Sequence, residues 1–297
     1  MTVARCSVRS ASLDEPMPGT ASRIRRYLLI EVPGPWGVEA LRDARLPDIL
    51  KRELRRRSRS TGVRVLLIRR FGGPRIVRHP QVYIVDTELA PPTAAGGQLT
   101  DVGDVLDMSF WSTTSDPRSE LDRHGGPLFL VCTHGRHDPC CAERGRPVAR
   151  ALSAAYPEQT WECSHMGGDR FAGNLLCLPD GIAYGRVAPE DAAAIAREYF
   201  RGRLDLAHLR GRGRYPFAVQ AAEWHLLTEL QLTGVNDLVL AEHRLDEVGL
   251  TAVFTTASGD AWSVRLRMSH APPRHVTCHA KQPFAAPQFH LLQISKL

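Results

Sequence analysis

The chain has 297 residues, of which 43% are hydrophobic and 24% charged, and its formal net charge is +6. These values describe an ordinary soluble globular protein that can bury a sizeable core without disulfides. No stretch approaches the roughly 20 apolar residues of a membrane-spanning helix, and the N-terminus lacks the apolar segment of a secretory signal. We therefore expect a cytoplasmic protein with no membrane partner.

The basic residues are almost all arginine, because only Lys51, Lys281 and Lys296 are lysines. Such a bias is typical of a GC-rich genome, which weakens a functional interpretation of the charge. The run RELRRRSRS (52–60) falls at a predicted helix end, where cations suit the helix dipole. No nucleic-acid-binding motif accompanies the charge, so we expect no nucleic-acid partner. A basic surface could still bind an acidic protein.

The first predicted elements form a β-α-β-β series. The apolar run at 27–32 predicts a strand, the apolar stripe of 38–57 predicts a helix, and 63–70 and 81–86 predict two more strands. Residues 88–105 are rich in Pro and Gly and are interpreted as a loop or crossover.

The same series recurs further along the chain. A strand at 128–132 precedes a loop and a helix at 143–155, and strands at 160–165 and 174–187 precede a helix at 189–200. In both series a strand is followed by a loop and a helix, which resembles a thioredoxin-like layout. The first series has no cysteine in that loop, so we interpret it as the structural half and the second as the working half.

The predicted fold class is α/β, with tandem thioredoxin-like halves and a small α+β C-terminal domain. The composition changes after an Arg- and Gly-rich linker at 209–216, where a helix at 218–232 and alternating strands follow. The predicted units are an N-terminal arm (1–22), a degenerate thioredoxin-like half (23–125), a thioredoxin-like ferredoxin half (126–208) and the C-terminal domain (209–297).

Two clusters in the second half could carry chemistry. Cys132 ends a strand and is separated from Cys141 by eight residues, whereas WECSHMGGD (161–169) brings His165 and Asp169 together. Gly167 and Gly168 allow a close backbone approach, and their N–H groups could hydrogen-bond cluster sulfur. Zinc ribbons and thioredoxin dithiols use Cys-x2-Cys pairs, which this chain lacks. The wider spacing favours a loop around a larger object, such as an iron–sulfur cluster.

These stretches resemble the sucrase/ferredoxin-like family, whose fungal members include thioredoxin-like [2Fe–2S] ferredoxins with two Cys and two His ligands. The shared stretches are EPMPGTA (15–21), EVPGPWG (31–37), RVLLIRR (64–70), VCTHGRHDPCCAERGRP (131–147), WECSHMGGDRFAGNLLCLPDGIAYGRV (161–187), RGRGRYPFAVQAAE (210–223) and TCHAKQP (277–283). The resemblance implies a [2Fe–2S] cofactor. Sugar hydrolysis would need a positioned carboxylate pair, and the sequence singles out none.

The family pattern is Cys-x8-Cys followed by His-x-Gly-Gly-His, and it implies the ligands residue by residue. Cys132 and Cys141 match the first part and would bind one iron; His165 matches the first histidine, and Asp169 stands where the second is expected. A carboxylate can bind iron, and its charge predicts a lower reduction potential than two neutral imidazoles give. Two alternatives are that Cys163 replaces Asp169, or that the cluster has been lost.

The remaining candidates have plainer interpretations. Cys6, Cys177 and Cys278 are expected to be small buried hydrophobic residues, and Cys140 a structural or reserve thiol. His134 and His137 are expected to be exposed loop residues, with hydrogen bonding near the cluster as the alternative. Arg170 could pair with Asp169 or with cluster sulfide, or it could form a surface ion pair.

The predicted function is one-electron transfer with an unknown redox protein partner, which could be acidic. We expect no substrate chemistry of the protein's own. A histidine ligand near the surface would couple electron transfer to protonation and make the reduction potential fall with rising pH. The first alternative is a binding or scaffold protein whose ferredoxin fold has lost its cluster. The second is a zinc-stabilised module.

Overall fold

The computed structural model describes residues 5–112, 121–247 and 249–297. Its helices are α1 Cys6–Ser12, α2 Ala40–Asp43, α3 Asp48–Thr61, α4 Pro139–Ala155, α5 Pro189–Phe200 and α6 Phe217–Glu229. Its strands are β1 Arg26–Glu31, β2 Arg64–Arg69, β3 Gln81–Asp86, β4 Thr93–Gln98, β5 Asp122–Arg123, β6 Leu128–Cys132, β7 Thr160–Cys163, β8 Leu175–Leu178, β9 Ile182–Tyr184, β10 Leu209–Arg212, β11 Leu238–Leu245, β12 Gly249–Thr256, β13 Ala261–His270 and β14 Pro287–Lys296.

Ten strands form one mixed sheet in the order β10-β9-β8-β6-β7-β2-β1-β3-β4-β5. The predicted α/β class is therefore confirmed. Within this sheet, β2-β1-β3-β4 and β7-β6-β8-β9 have the same strand order and the same relative directions. Each group contains one parallel pair joined by a helix, α3 in the first and α4 in the second. The predicted domain boundaries stay a prediction.

The two groups meet where β2 pairs antiparallel with β7. Ile68 pairs with Cys163 and Arg69 with Glu162, and the last two side chains also form an ion pair of 2.9 Å. A register of two residue pairs is short, so side-chain packing must contribute to the join. Side chains of one sheet face do this, because they form a single buried cluster across both groups.

The opposite face of the sheet is covered by helices. Leu50 and Leu54 of α3 pack on the first group of strands, and Val148, Ala149 and Leu152 of α4 pack on the second. These are the apolar positions of amphipathic helices, whose arginines lie mainly towards solvent. The sheet therefore holds the amino end of α4 over the carboxyl end of β6.

Several predicted elements differ in their bounds. The helix expected at 38–57 is two helices, because Pro47 cannot continue α2 and instead precedes α3. The loop expected at 88–105 contains β4, which pairs with β3 although it carries only Thr, Ala, Gly and Gln. The linker expected at 209–216 begins with β10, which pairs with β9 in the large sheet. The helix expected at 143–155 begins four residues earlier, at Pro139.

The C-terminal part adds a four-stranded antiparallel sheet, β11-β12-β13-β14, which packs with α6 against the large core. At the other end of the chain, residues 19–24 run beside β10 and the residue after it, because the N–H groups of Gly19 and Ile24 donate to the carbonyls of Arg210 and Gly213. Within the described residues, no helix is both long enough and apolar enough to cross a membrane.

Candidate metal centre

Parallel strands place two thiols at one edge of the sheet. β6 runs parallel to β7, and Cys132 pairs with Cys163 at the carboxyl end of both strands. The chain leaves β6, makes a short loop and enters α4, whose N-cap Asp138 accepts the N–H of Cys140 at 2.9 Å. This cap and the first turn bring Cys141 back over the end of β6. The positive end of the helix dipole therefore lies at the two thiols, where it stabilises negative charge on Cys132.

A glycine turn brings the other two predicted ligands to the same place. Gly167 and Gly168 have φ values of 97° and 84°, which other residues rarely adopt. The turn returns Asp169 to His165, and Asp169 Oδ1 lies 3.0 Å from His165 Nδ1 and 3.3 Å from Cys141 Sγ. The ligand atoms of Cys132, Cys141 and His165 lie within 4.8 Å of one another. The four predicted ligand side chains therefore converge.

Cys163 lies beside this group without joining it. It is fully buried at the end of β7, and burial raises the pKa of its thiol well above the ordinary value. Among the described residues, the converging ligand sets at this site contain the four predicted ligands and His137 but omit Cys163. Its use as a replacement ligand stays a prediction.

Hydrogen bonds among the four side chains shift their pKa values in different directions. The hydrogen bond from Cys141 holds the pKa of Cys132 well below its ordinary value and raises that of Cys141. Burial opposes the charged form of His165, but the bond to Asp169 and the nearby Cys132 outweigh it and raise the pKa to about 9. Burial likewise opposes the Asp169 carboxylate, yet His165 lowers its pKa.

Two histidines of the loop after β6 belong to this site. His134 is buried rather than exposed: its Nδ1 accepts the N–H of His165 at 3.2 Å, and its Nε2 lies 2.8 Å from the carbonyl oxygen of Gly37. This pattern fixes one neutral tautomer, and burial lowers the pKa of the His134 ring. His137 stacks on His165 with a centroid distance of 3.9 Å. The exposed-loop interpretation is wrong for His134.

The arginine that supports the turn is Arg210, which lies in a stretch shared with the family but was not singled out as a site residue. It is buried, and it donates to Gly167 O at 3.2 Å and to Asn174 Oδ1 at 2.7 Å. A Cβ at Gly168 would overlap the guanidinium group of Arg210, so glycine at this position leaves space for the arginine. Arg170 instead pairs with Glu15 at 2.7 Å. A buried arginine on β10 has no local sequence signal that ties it to residue 167.

A groove of about 440 Å³ opens on the histidine side of the site. His134, His137 and His165 line its base, and the exposed fraction of the His165 side chain is 18%. The opposite wall comes from the first strand group and its helices, and it carries four arginines, Arg42, Arg55, Arg59 and Arg64. Arg64 also donates to the carbonyl oxygen of His165 at 2.8 Å.

The donor set fits a metal cofactor. Cys141 lies within reach of both Cys132 and Asp169, so three buried acidic groups adjoin one another, and buried anionic groups are stable when they are paired or bind metal. Thiolate and imidazole ligands suit iron–sulfur clusters and zinc. Carboxylates also bind iron, as they do in non-haem iron sites. Gly145 leaves room for α4 to approach β6, because a Cβ there would overlap the carbonyl oxygen of Cys132. The residues therefore form a close and largely buried set that could bind a metal.

Comparisons with known proteins identify the family of the chain. The family model described as "Sucrase/ferredoxin-like" matches residues 17–211. "Altered inheritance of mitochondria protein 32" from Meyerozyma guilliermondii is 32% identical over 78 residues, which are 23% of this chain and 28% of that protein. A chorismate synthase from Azoarcus sp. is 48% identical over 67 residues, covering 20% of this chain and 17% of the enzyme. The chain thus spans less than a third of the length of these curated relatives.

Solved structures give a partial similarity. The wild-type thioredoxin-like [2Fe–2S] ferredoxin from Aquifex aeolicus is 23% identical, with a TM-score of 0.25, and the match covers 29% of this chain and 97% of the ferredoxin. A second structure of a thioredoxin-like [2Fe–2S] ferredoxin from Aquifex aeolicus is 21% identical, with a TM-score of 0.26 over 30% of this chain and 94% of that one. Each match therefore covers less than a third of this chain.

Proposed function

The chain belongs to the sucrase/ferredoxin-like family, and from this premise we propose that it binds a [2Fe–2S] cluster and carries single electrons. The residues that would hold the cluster are Cys132, Cys141, His165 and Asp169. When bound, the cluster would supply a group that accepts and releases one electron. The observation that supports the proposal is the convergence of these four side chains from three separate segments.

The protein's own residues prepare the site for this role. Burial of the two thiols keeps water away from them, and the amino end of α4 stabilises the negative charge that the bound thiolates would carry. His134 fixes the backbone of His165 through its N–H, and Arg64 fixes it through its carbonyl oxygen. A ligand whose backbone is held on both sides keeps its position when the charge of the site changes.

The exposed edge of the site is the natural place for electron exchange. His165 is the most exposed of the four side chains, and His137 stacks on it at the base of the groove. A partner that enters the groove would therefore approach the cluster through these two rings. The buried thiols lie on the far side, inside the protein.

The charge of the groove favours an acidic redox partner. Arg42 is already paired with Glu39 and Asp43, so the cationic excess comes from the other three arginines of the wall. Opposite charge raises the rate of encounter between redox proteins. We expect Arg55→Glu with Arg59→Glu to slow reduction by an anionic mediator about tenfold at low salt. Arg146→Glu with Arg150→Glu, at two exposed positions of α4, changes the net charge by the same amount; it is the matched control and should leave the rate unchanged.

The test of the cofactor is anaerobic purification, followed by iron and sulfide analysis and by visible and EPR spectra. We expect about two irons and two sulfides per chain and a rhombic EPR signal after reduction. Cys132→Ser should lose the iron, whereas Cys163→Ala, at a buried cysteine beside the site, should retain it. Asp169→His should keep the cluster and raise its reduction potential, because an imidazole is neutral.

Three results would contradict this proposal in whole or in part. Protein that stays colourless after reconstitution with iron and sulfide would mean that Asp169 has removed the cluster. Iron that disappears with Cys163→Ala but survives Asp169→Ala would make Cys163 the fourth ligand in place of Asp169. Zinc without sulfide, lost with Cys132→Ser, would support the zinc-stabilised module instead.

A further inference from the structure

A second group of thiols lies on the other side of the α4 amino end. Cys6 of α1, Cys140 of α4 and Cys278 of the segment between β13 and β14 meet there, although the first two are 134 positions apart in the sequence and the last two 138. Cys6 Sγ is 3.5 Å and Cys278 Sγ is 3.4 Å from Cys140 Sγ. The expected burial holds for Cys6, whereas Cys278 is only partly buried. A purely hydrophobic interpretation of these thiols does not account for their grouping around a charged residue.

That residue is Asp138, whose carboxylate completes the group. Its oxygens lie 3.7 and 3.8 Å from Cys6 Sγ, and the ligand atoms of the four residues all lie within 4.8 Å of one another. Asp138 also accepts the N–H of Cys278 at 2.7 Å and that of Cys140 at 2.9 Å. A carboxylate oxygen has two lone pairs, so these bonds orient the group and leave it able to bind a cation.

We propose that these four residues form a second metal site, in which the thiols of Cys6, Cys140 and Cys278 and the carboxylate of Asp138 hold one zinc ion. Zinc bonds to thiolate sulfur are about 2.3 Å long, so tetrahedral ligation separates neighbouring sulfurs by about 3.8 Å. The two sulfur–sulfur distances here are slightly shorter, and small side-chain rotations would open them. Three thiolates select a soft or borderline metal over magnesium or calcium.

The burial and the charge of these residues also favour a bound cation. The exposed fractions of Cys6, Cys140 and Asp138 are 1%, 0% and 1%. Arg5, next to Cys6 in the chain, pairs with Glu143 and not with Asp138. A buried carboxylate among buried thiols is costly without a cation, and the amino end of α4 offsets only part of that cost. A bound zinc ion would supply the missing positive charge.

A metal here would join three distant segments. It would fasten α1 and the segment after β13 to the first turn of α4, where the residue after Cys140 is Cys141. The inference goes beyond the electron-carrier function and does not depend on it, because none of its ligands is a proposed cluster ligand.

The test is metal analysis of the full chain, purified under reducing conditions from cells supplied with zinc. We expect about one zinc per chain in the wild type and in Cys132→Ser, and a roughly tenfold or greater loss in Cys6→Ser and Cys278→Ser. Cys177→Ala, at a fully buried cysteine outside the group, is the control and should keep the zinc. In a Cys132→Ser background, which removes a thiol from the other site, cobalt added to the metal-free protein should give sulfur-to-cobalt charge-transfer bands that a further Cys6→Ser or Cys278→Ser removes.

A second substitution at Cys278 distinguishes the loss of a metal ligand from the loss of side-chain packing. Because Cys278 is only partly buried, Cys278→His can be accommodated; it supplies a nitrogen ligand and should recover the zinc that Cys278→Ser loses. Folding of each variant is checked by circular dichroism. The proposal is overturned if the folded wild type binds neither zinc nor cobalt, or if its zinc is lost with Cys132→Ser and kept by Cys6→Ser. A disulfide among the three thiols in the reduced preparation would overturn it as well.

Discussion

A methyl group at Gly145 tests the close packing of α4 on β6. The Cβ of Gly145→Ala would overlap the carbonyl oxygen of Cys132 and lie 3.1 Å from its carbonyl carbon, whereas carbon atoms in contact are about 3.5–4.0 Å apart. The obstacle is backbone, which cannot rotate away, so the helix must move. Alanine is favoured over glycine inside a helix by about 1 kcal/mol. Overpacking costs about 1–3 kcal/mol, and a backbone obstacle belongs at the upper end.

We therefore expect Gly145→Ala to lower the free energy of unfolding by about 2 kcal/mol, the difference between these two effects. The displaced helix would also carry Cys141 away from Cys132, so the iron content should fall. Urea denaturation followed by circular dichroism measures the first effect, and iron analysis measures the second. Gly125→Ala, where a Cβ would meet no atom within 4 Å, is the control. A Gly145→Ala protein as stable as the wild type, with the same iron content, would refute the packing argument.

Three further predictions concern charged side chains and their hydrogen-bond partners. Arg210→Met should lower the unfolding free energy by about 2–4 kcal/mol in urea titrations, because the buried acceptors of Arg210 lose their donor; an unchanged midpoint would contradict this. Glu223→Gln should cost about 3–5 kcal/mol in the same assay, because it leaves the buried Arg212 without its ion-pair partner at 3.1 Å; a loss no larger than that of a surface substitution would count against it. The hydrogen bond to Asp205 raises the pKa of His208, so its stabilisation is present below about pH 6.5 and is lost as pH rises through the folded-state pKa. His208→Gln should therefore destabilise the protein at pH 6 but not at pH 9, and equal effects at both pH values would exclude this linkage.

Local patterns in the sequence predicted one part of the site. Short segments of the sequence show the apolar strand that ends at Cys132 and the glycine pair before Asp169. They also show the eight residues between Cys132 and Cys141. In contrast, β4 has no apolar alternation, and its structure comes from pairing with β3.

Long-range contacts account for the rest. Arg210 supports the glycine turn from β10, and its role follows from strand pairing that no local pattern encodes. Cys6 and Cys278 likewise meet Cys140 only after α1 and the C-terminal segment pack against α4. Arg210 and Cys278 lie in stretches shared with the family, but nothing in those stretches indicates which distant residues they contact.

The groove divides two properties between the two strand groups. The proposed cluster ligands all come from the second group, whereas the arginine wall comes from the first. Substitutions in the second group would tune the redox chemistry, and substitutions at Arg55 or Arg59 would change which molecules can approach. If the proposed cluster is present, the strand group without cluster ligands would determine which partners reach the group that has them, and the two properties could diverge separately in evolution.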